Sequence, residues 1–583
     1  MAQYILGINA FHGDSSACIL RDGKLIAAVE EERFRRIKHW AGFPSESIRY
    51  CLEEAGVSLN QVDHAAINQD PNANFARKLG YLLTHLPSPA FVWDRIKNKR
   101  KRQSFGILLN QVDQGKSFQG KLHQIEHHFC HLSSAFHVSP FEEAAVVSVD
   151  GFGDFSSAAW GIGKGSQIDI QNRVFFPHSL GIFYQALTQY LGFPHYGDEY
   201  KVMGLAPYGL PKYMDKMRQI VLLKADGGFR LNLHYFRHHK EKVDYSWEGG
   251  SPEVGTLFSP KMEELLGPVR EKGQPLEQYH KDLARSVQAM YEEAFFHLLN
   301  TLYKRNPIDT LAIAGGCGMN SVANGKVTLH TPFKEIYVQS AAGDSGGAIG
   351  AAFGVWHQIG GPRGFCMDHA YWGPQYFDKE ISNLLDQRKE DIANAGCLVE
   401  KVGTENQLCK RTAESIARGH VVGWFQGRME WGPRALGNRS IVCDPRRADM
   451  KDILNLKIKR RESFRPFAPS ILREAVPEWF DLTGDVPFMM QVYPIRKEMQ
   501  HQIPAVCHVD GSGRLQTVHK ETNSRYYQLI EAFREISGIP MVLNTSFNEN
   551  EPVVCRPFEA LDCFLRTKMD LLVLGDWMIK RAG

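Results

Sequence analysis

The chain has 583 residues, enough for two large domains. Hydrophobic residues make up 43% and charged residues 23%, which excludes a disordered tail protein and a disulfide-stapled miniprotein. Net charge is only +3, from 68 basic and 65 acidic residues, so no nucleic-acid partner is expected.

The 11 Cys are odd in number, scattered and without a CxxC pair, as in a reducing compartment. No apolar run approaches the ~18 residues of a membrane span. The start, Met-Ala-Gln-Tyr-Ile-Leu-Gly, lacks a charged leader. A cytoplasmic protein with no membrane partner is expected. Glycine is abundant at 52 residues, which points to positive φ or close approach to a ligand.

Residues 4–8, 16–20 and 25–29 read as strands, with a hairpin signal at Asp22-Gly23. Residues 45–55 have helical spacing (Ile48, Cys51, Leu52, Ala55) behind Ser45 as N-cap. A buried strand over 144–149 runs into Asp150-Gly151-Phe152-Gly153-Asp154, so both halves open with strand, Gly/Asp turn and strand, a sign of duplication. A helix carries Leu180, Phe183, Leu187 and Leu191. Strands at 311–314 and 336–338 each precede a glycine turn and a helix. Residues 360–374 are rich in breakers and form the best linker candidate. The boundary is placed near 365, giving domains 1–365 and 366–583, the second an α/β region beginning with a helix near 379–388.

The segment Glu126-His127-His128-Phe129-Cys130-His131 sets two histidines four apart, on one face of a helix and able to share a metal. Asp150 and Asp344 each follow an apolar strand that can aim a carboxylate. Two His with two carboxylates suit Fe(II), Mn(II) or Zn(II) better than Ca(II). Glycine turns over 7–16, 150–154 (with Asp150 and Gly151), 315–320 (with Gly315, Gly316 and Asn320) and 343–347 (with Gly343) suit phosphates held by backbone N–H groups between two similar lobes.

These residues carry a resemblance. Gly7-Ile8-Asn9, His12 with Asp14-Ser15-Ser16-Ala17, Glu30-Glu31-Glu32-Arg33-Phe34, Lys38-His39, His127-His128 with His131, Val149-Asp150-Gly151, Met203-Gly204-Leu205-Ala206-Pro207-Tyr208-Gly209 and Ala314-Gly315-Gly316 look like the NodU/CmcH-type O-carbamoyltransferases. The resemblance covers nearly the whole chain. It implies an α/β fold: a duplicated actin-like N-terminal domain followed by a YrdC-like C-terminal domain. It implies His127, His131, Asp150 and Asp344 as ligands of a metal that is usually iron. His12 and Lys38 match positions lining the transfer site, with His12 a base or orienter for the acceptor hydroxyl.

In the C-terminal half, Gln426-Gly427-Arg428-Met429-Glu430-Trp431-Gly432-Pro433-Arg434-Ala435-Leu436-Gly437-Asn438-Arg439-Ser440 holds three arginines among turn residues. Arginine matches phosphate and carboxylate oxygens, and burial among Trp431, Pro433 and Leu436 is expected to call for an anion. Residues 420–470 carry 11 Lys/Arg against 5 Asp/Glu, a basic island suited to a phosphate site. Thr545, Ser546 and Asn548 offer neutral contacts after a strand. The resemblance assigns Arg434, Lys459, Arg465, Arg514 and Ser546 to a pocket for carbamoyl phosphate and ATP.

The expected chemistry is ATP-dependent O-carbamoyl transfer. Carbamoyl-adenylate forms with Mg accompanying ATP, and its carbamoyl group passes to a hydroxylated small-molecule acceptor. An actin-like superfamily kinase and an ATP-gated binding module are the alternatives. A homodimer is left open. Residues 70–120 and 225–275, with Phe75, Tyr81, Phe91, Trp93, Phe229, Tyr235, Phe236, Tyr245 and Trp247, are expected to line the acceptor pocket, and Arg237-His238-His239-Lys240 to form a solvated face.

Overall fold

The computed structural model describes residues 2–85, 105–113, 116–241, 243, 245–246, 252–459 and 462–581. Phe91, Trp93, residues 97–102, Trp247, Arg460 and Arg461 lie outside the described residues. The chain divides into two compact units, Met1–Met367 and Asp368–Gly583.

The first unit opens with three antiparallel strands, β1 (Tyr4–Asn9), β2 (Ser16–Arg21) and β3 (Lys24–Glu30). Helix α1 (Ser45–Ala55) then covers one face, and β4 (His64–Ile67) and β5 (Lys121–Gln124) extend the sheet in parallel. The order is β3-β2-β1-β4-β5. Central β1 is apolar without alternation because Ile5, Leu6 and Ile8 are all fully buried. Ser45 is the first residue of α1 and not its cap; Pro44 precedes it. The cap comes from outside the helix: buried Glu31 accepts from Ser47 N at 2.8 Å and Glu46 N at 3.2 Å.

The pattern then repeats. After helix α2 (His127–Phe136) come antiparallel β6 (Glu143–Gly153), β7 (Ser156–Lys164) and β8 (Gln167–Phe175). Helix α3 (Leu180–Tyr190) and the long α4 (Gln278–Arg305) follow. Strands β9 (Thr310–Ala314) and β10 (Glu335–Val338) then lie parallel to β6 on its other side. Outward from its first strand, this sheet has the order of the first.

Helix α5 (Gly347–Gln358) ties the two sheets together. Its small residues permit backbone contact: a Cβ on Gly350 would lie 1.8 Å from Cys130 O, and one on Gly7 of β1 would lie 2.1 Å from Ala348 O. The division between the units falls inside the breaker-rich stretch 360–374, whose early part is tied to the first unit. The Arg363 guanidinium binds Phe136 O at 2.7 Å, Ser139 O at 3.1 Å and Gly165 O at 3.1 Å, and lies 4.2 Å over the Phe136 ring.

The second unit is built on a mixed eight-stranded sheet. Its strands are β11 (Cys397–Lys401), β12 (Val422–Phe425), β13 (Arg439–Cys443), β14 (Ala468–Leu472), β15 (Gln516–Val518), β16 (Met541–Ser546), β17 (Leu571–Leu574) and β18 (Trp577–Arg581). Helices α6 (Glu405–Ala417) and α7 (Ser524–Ser537) bury Leu408, Ile416, Leu529 and Phe533 in its core.

Candidate functional site

The register of β6 against β7 shifts between Val149 and Gly153, which releases Asp150 from the ladder and leaves its carboxylate aimed beyond the sheet. Helix α2 starts beside it. Glu126 caps that helix by accepting from Phe129 N at 2.8 Å, and Arg173 grips the same carboxylate at 2.9 and 3.1 Å. The i, i+4 spacing then puts His127 and His131 side by side, their Nε2 atoms 3.0 Å apart.

Both Nε2 atoms face Asp150 Oδ2, at 3.1 and 3.2 Å, and Asp344 Oδ1, at 3.6 and 3.5 Å. One ligand atom from each of the four residues lies within 4.8 Å of the others. The remaining Asp150 oxygen accepts from Gly316 N at 2.9 Å, and His127 N donates to Asp154 Oδ2 at 3.0 Å. Gly153 is bare because a Cβ there would meet His127 Cδ2 at 2.0 Å.

The electrostatics are those of a cation site. Burial opposes ionisation of Asp150, but hydrogen bonds from both imidazoles hold its carboxyl well below the usual range. Burial also opposes charge on His131, yet Asp150 and Asp344 push it up to about 9. His127 is raised against burial and His131 by Asp150 and Asp344. Asp344 is raised by burial and by the charge of Asp150. Among the described residues its buried Oδ1 has no hydrogen-bond partner, the two imidazole Nε2 atoms stopping at 3.5 and 3.6 Å. Two converging imidazole nitrogens, two carboxylates and that orphaned oxygen fit a divalent transition metal. His128 does not join: burial and the charge of His127 push it down to about 3, and Nδ1 meets Ser148 Oγ at 3.0 Å.

His12 reaches this cluster, its ring centroid 5.3 Å from that of His127. Lys38 precedes His39, whose Nδ1 meets Asp14 Oδ1 at 2.8 Å. Gly151 follows Asp150 in the irregular last part of β6, Gly315 and Gly316 directly follow β9, and Gly343 precedes Asp344 in the turn after β10. Gly315, at φ 88°, would set a Cβ 2.2 Å from Val149 O. The Asn320 side chain is engaged within the protein: Oδ1 accepts from Ala323 N and Gln288 Nε2, both at 3.0 Å, and Nδ2 donates to Gln288 Oε1 at 3.0 Å.

In the second unit the structure joins two of the expected residues directly. The buried Lys459 ammonium donates to Ser546 O at 2.7 Å, Asn548 O at 2.8 Å and Asn548 Oδ1 at 2.6 Å. A π-helical turn, Asn455–Lys459, delivers it. Arg434 is half-buried in the β12–β13 loop. Arg465 stands 3.5 Å from Glu462, and Arg514 is half-buried after Gly513.

Two expectations fail. Arg439 needs no external anion: it is fully buried and donates to Gln426 O (2.6 Å), Gly427 O (3.2 Å), Asn438 O (3.1 Å) and Pro374 O (3.0 Å). Arg428 likewise binds Trp372 O at 2.9 Å and Gly373 O at 3.2 Å. Backbone carbonyls converge on both guanidiniums; Pro374 O and Asn438 O also accept from Met429 N and Gln426 N, both at 2.9 Å. His238 and His239 are not solvated. His238 Nε2 meets Pro177 O at 2.8 Å, and its ring packs on Phe152 and Phe176, which Tyr81 also contacts.

The repeated five-stranded sheet, a three-strand meander extended by two parallel strands, is the actin-like arrangement, here carrying a four-residue candidate metal centre. The carbamoyltransferase N-terminus model matches residues 4–353 and the carbamoyltransferase C-terminus model residues 413–581. The chain belongs to the carbamoyltransferase family and is a carbamoyltransferase enzyme. It is 41% identical to the uncharacterized protein sll1178 of Synechocystis, over 100% of this chain and 97% of that one. It is 39% identical to nodulation protein NolNO of Sinorhizobium fredii, over 98% of this chain and 80% of that one. Among solved structures, HypF of T. kodakarensis aligns with 61% of this chain and 48% of its own, at 11% identity and a TM-score of 0.30. At that score the fold assignment rests on the sheet topology. Among the described residues no helix is long and apolar enough to cross a membrane.

Proposed function

We propose that the enzyme is an ATP-dependent O-carbamoyltransferase that works in two steps, one in each unit. In the second, YrdC-like unit, carbamoyl phosphate, ATP and one water give carbamoyl-adenylate, phosphate and pyrophosphate. Arg434, Arg465 and Arg514 would hold the phosphate oxygens, with Lys459 and Ser546 beside them, so that positive charge meets the negative charge of the transition state. Mg accompanies ATP in this step.

In the first unit, His12 takes the proton of an acceptor hydroxyl as its oxygen attacks the carbamoyl carbon. AMP leaves and an O-carbamate remains. Lys38 would bind the departing phosphate. The turns that carry Gly151, Gly315, Gly316 and Gly343 would border the nucleotide, with the Gly315 and Gly316 N–H groups themselves held by Ala342 O and Asp150 Oδ1. His127, His131, Asp150 and Asp344 would hold a divalent metal, with iron the first candidate, and that ion would supply Lewis acidity toward the carbamoyl or phosphate oxygens. Carbamoyl-adenylate is labile in water, a physical reason to hold both steps in one chain. The acceptor class is a hydroxylated small-molecule natural product, and the compartment is the cytoplasm, where ATP and carbamoyl phosphate occur.

The observation that carries this reading is the convergence of His127, His131, Asp150 and Asp344 within 4.8 Å, in a chain matched by both carbamoyltransferase models. The test supplies ATP, carbamoyl phosphate and Mg to the purified protein and follows pyrophosphate. Arg434→Ala is expected to abolish its release, while His127→Ala spares release and blocks transfer. Loss of the same step in both variants would refute the division of labour.

A further inference from the structure

The loop that carries Arg434 closes around a buried carboxylate. Glu430 is 3% exposed. Its Oε1 accepts from Leu436 N at 2.8 Å, Asn438 N at 2.8 Å and Arg439 N at 3.1 Å. The loop carbonyls are held from outside. Ala435 O accepts from Asn544 Nδ2 at 3.1 Å, and Gly437 O from Trp424 Nε1 at 2.9 Å. Leu436 O accepts from Tyr371 OH and Gln516 Nε2, both at 2.8 Å. Gly432 and Gly437, at φ 106° and 107°, supply the two reversals. A Cβ on Gly437 would lie 2.2 Å from the Tyr526 ring.

Three N–H groups turned onto one anion resemble a backbone nest, with the anion supplied by the chain itself. These amides are therefore not available to a phosphate, and what they fix is the backbone arch on which Arg434 stands. A negative charge in a basic loop weakens its hold on anions. A carboxylate in that position is explained if holding the loop matters more, because charge-assisted acceptance from three donors is stronger than an amide's.

We infer that Glu430 is a positioning residue: it fixes the backbone arch from which Arg434 meets the phosphate-bearing substrates. This rests on the reading of the second unit as the adenylate-forming one. The test uses the full chain with ATP, carbamoyl phosphate and Mg, and measures pyrophosphate release for wild type, Glu430→Gln, Arg434→Lys and the double variant. Glu430→Gln is expected to lower kcat/KM at least about tenfold, with KM for carbamoyl phosphate raised and circular dichroism unchanged. The double variant is expected to be no worse than Arg434→Lys alone, because both changes act through one guanidinium.

Unaltered kinetics in Glu430→Gln, or losses that simply add, would overturn the inference. If Glu430→Gln does not fold, Tyr371→Phe, which removes one clamp from Leu436 O, carries the same comparison. A wild-type enzyme that releases no pyrophosphate would overturn the adenylation reading itself, whereas an active wild type with an indifferent Glu430→Gln overturns only the positioning role.

Discussion

His127 and His131 bring their Nε2 atoms to 3.0 Å of one another, both turned toward Oδ2 of Asp150. Neutral imidazoles can share one proton at that distance, but both are raised in pKa, so neither is a settled neutral partner. A divalent cation displaces those protons and neutralises both carboxylates. His131→Ala is accordingly expected to purify with little bound metal and to lose carbamoyl transfer, while pyrophosphate release persists. Elemental analysis beside the pyrophosphate assay checks this; full metal content in the variant would contradict it.

Gly153 and Asp154 lie behind His127 and hold it from two sides. Gly153→Ala places a methyl group 2.0 Å from His127 Cδ2, so the ring must move. Asp154→Asn weakens the bond to His127 N, and metal affinity is expected to fall about 10- to 100-fold. Metal titration of the two variants is the measurement, and wild-type affinity in Gly153→Ala would show that the ring is not held as described.

Arg439 is a structural cation inside the second unit. Arg439→Met removes four hydrogen bonds to carbonyls, of which, among the described residues, only Asn438 O and Pro374 O keep the backbone donors Gln426 N and Met429 N, and is expected to cost at least about 3 kcal/mol. Urea unfolding measures it, and a loss below about 1 kcal/mol would show that these bonds do not hold the unit together.

The Asp14–His39 pair makes stability depend on pH. Burial opposes the charge on His39, but Asp14 raises it from 6.5 to about 9. Its contribution is therefore complete below pH 6.5 and lost as pH rises through about 9. Asp14 is lowered against burial by His39, so its own share is present above its ordinary 3.8 and lost at more acid pH. The stability gap between wild type and His39→Gln is expected to be flat from about pH 5 to 6.5 and to close toward pH 9. A gap that widens with rising pH would reverse the sign and reject the pairing.

Much of the metal cluster was legible because its signals are local. Four-residue spacing puts two histidines on one helix face, and an apolar strand ending in Asp-Gly announces a carboxylate at a strand end. The strands at 4–8, 16–20 and 25–29 were equally visible as apolar runs between turn residues. The partners that hold the site were not legible. Glu31 caps a helix through Ser47, 16 residues further on, Arg363 straps onto carbonyls near residue 139, and Glu430 accepts from amides up to nine residues away. A carboxylate or guanidinium that satisfies backbone groups leaves no periodic trace in sequence.

The sequence by itself determined the duplicated strand–turn–strand plan, the basic island and the identity of the four candidate metal ligands. Tertiary structure alone decided which charges are internal. Arg428 and Arg439 spend their donors on turn carbonyls, Asn320 is committed to Gln288, and His238 is packed against aromatic rings. Lys459 is gathered onto Ser546 and Asn548. The reason is that hydrogen-bond saturation depends on where distant backbone turns end, and only folding brings those turns to the side chain.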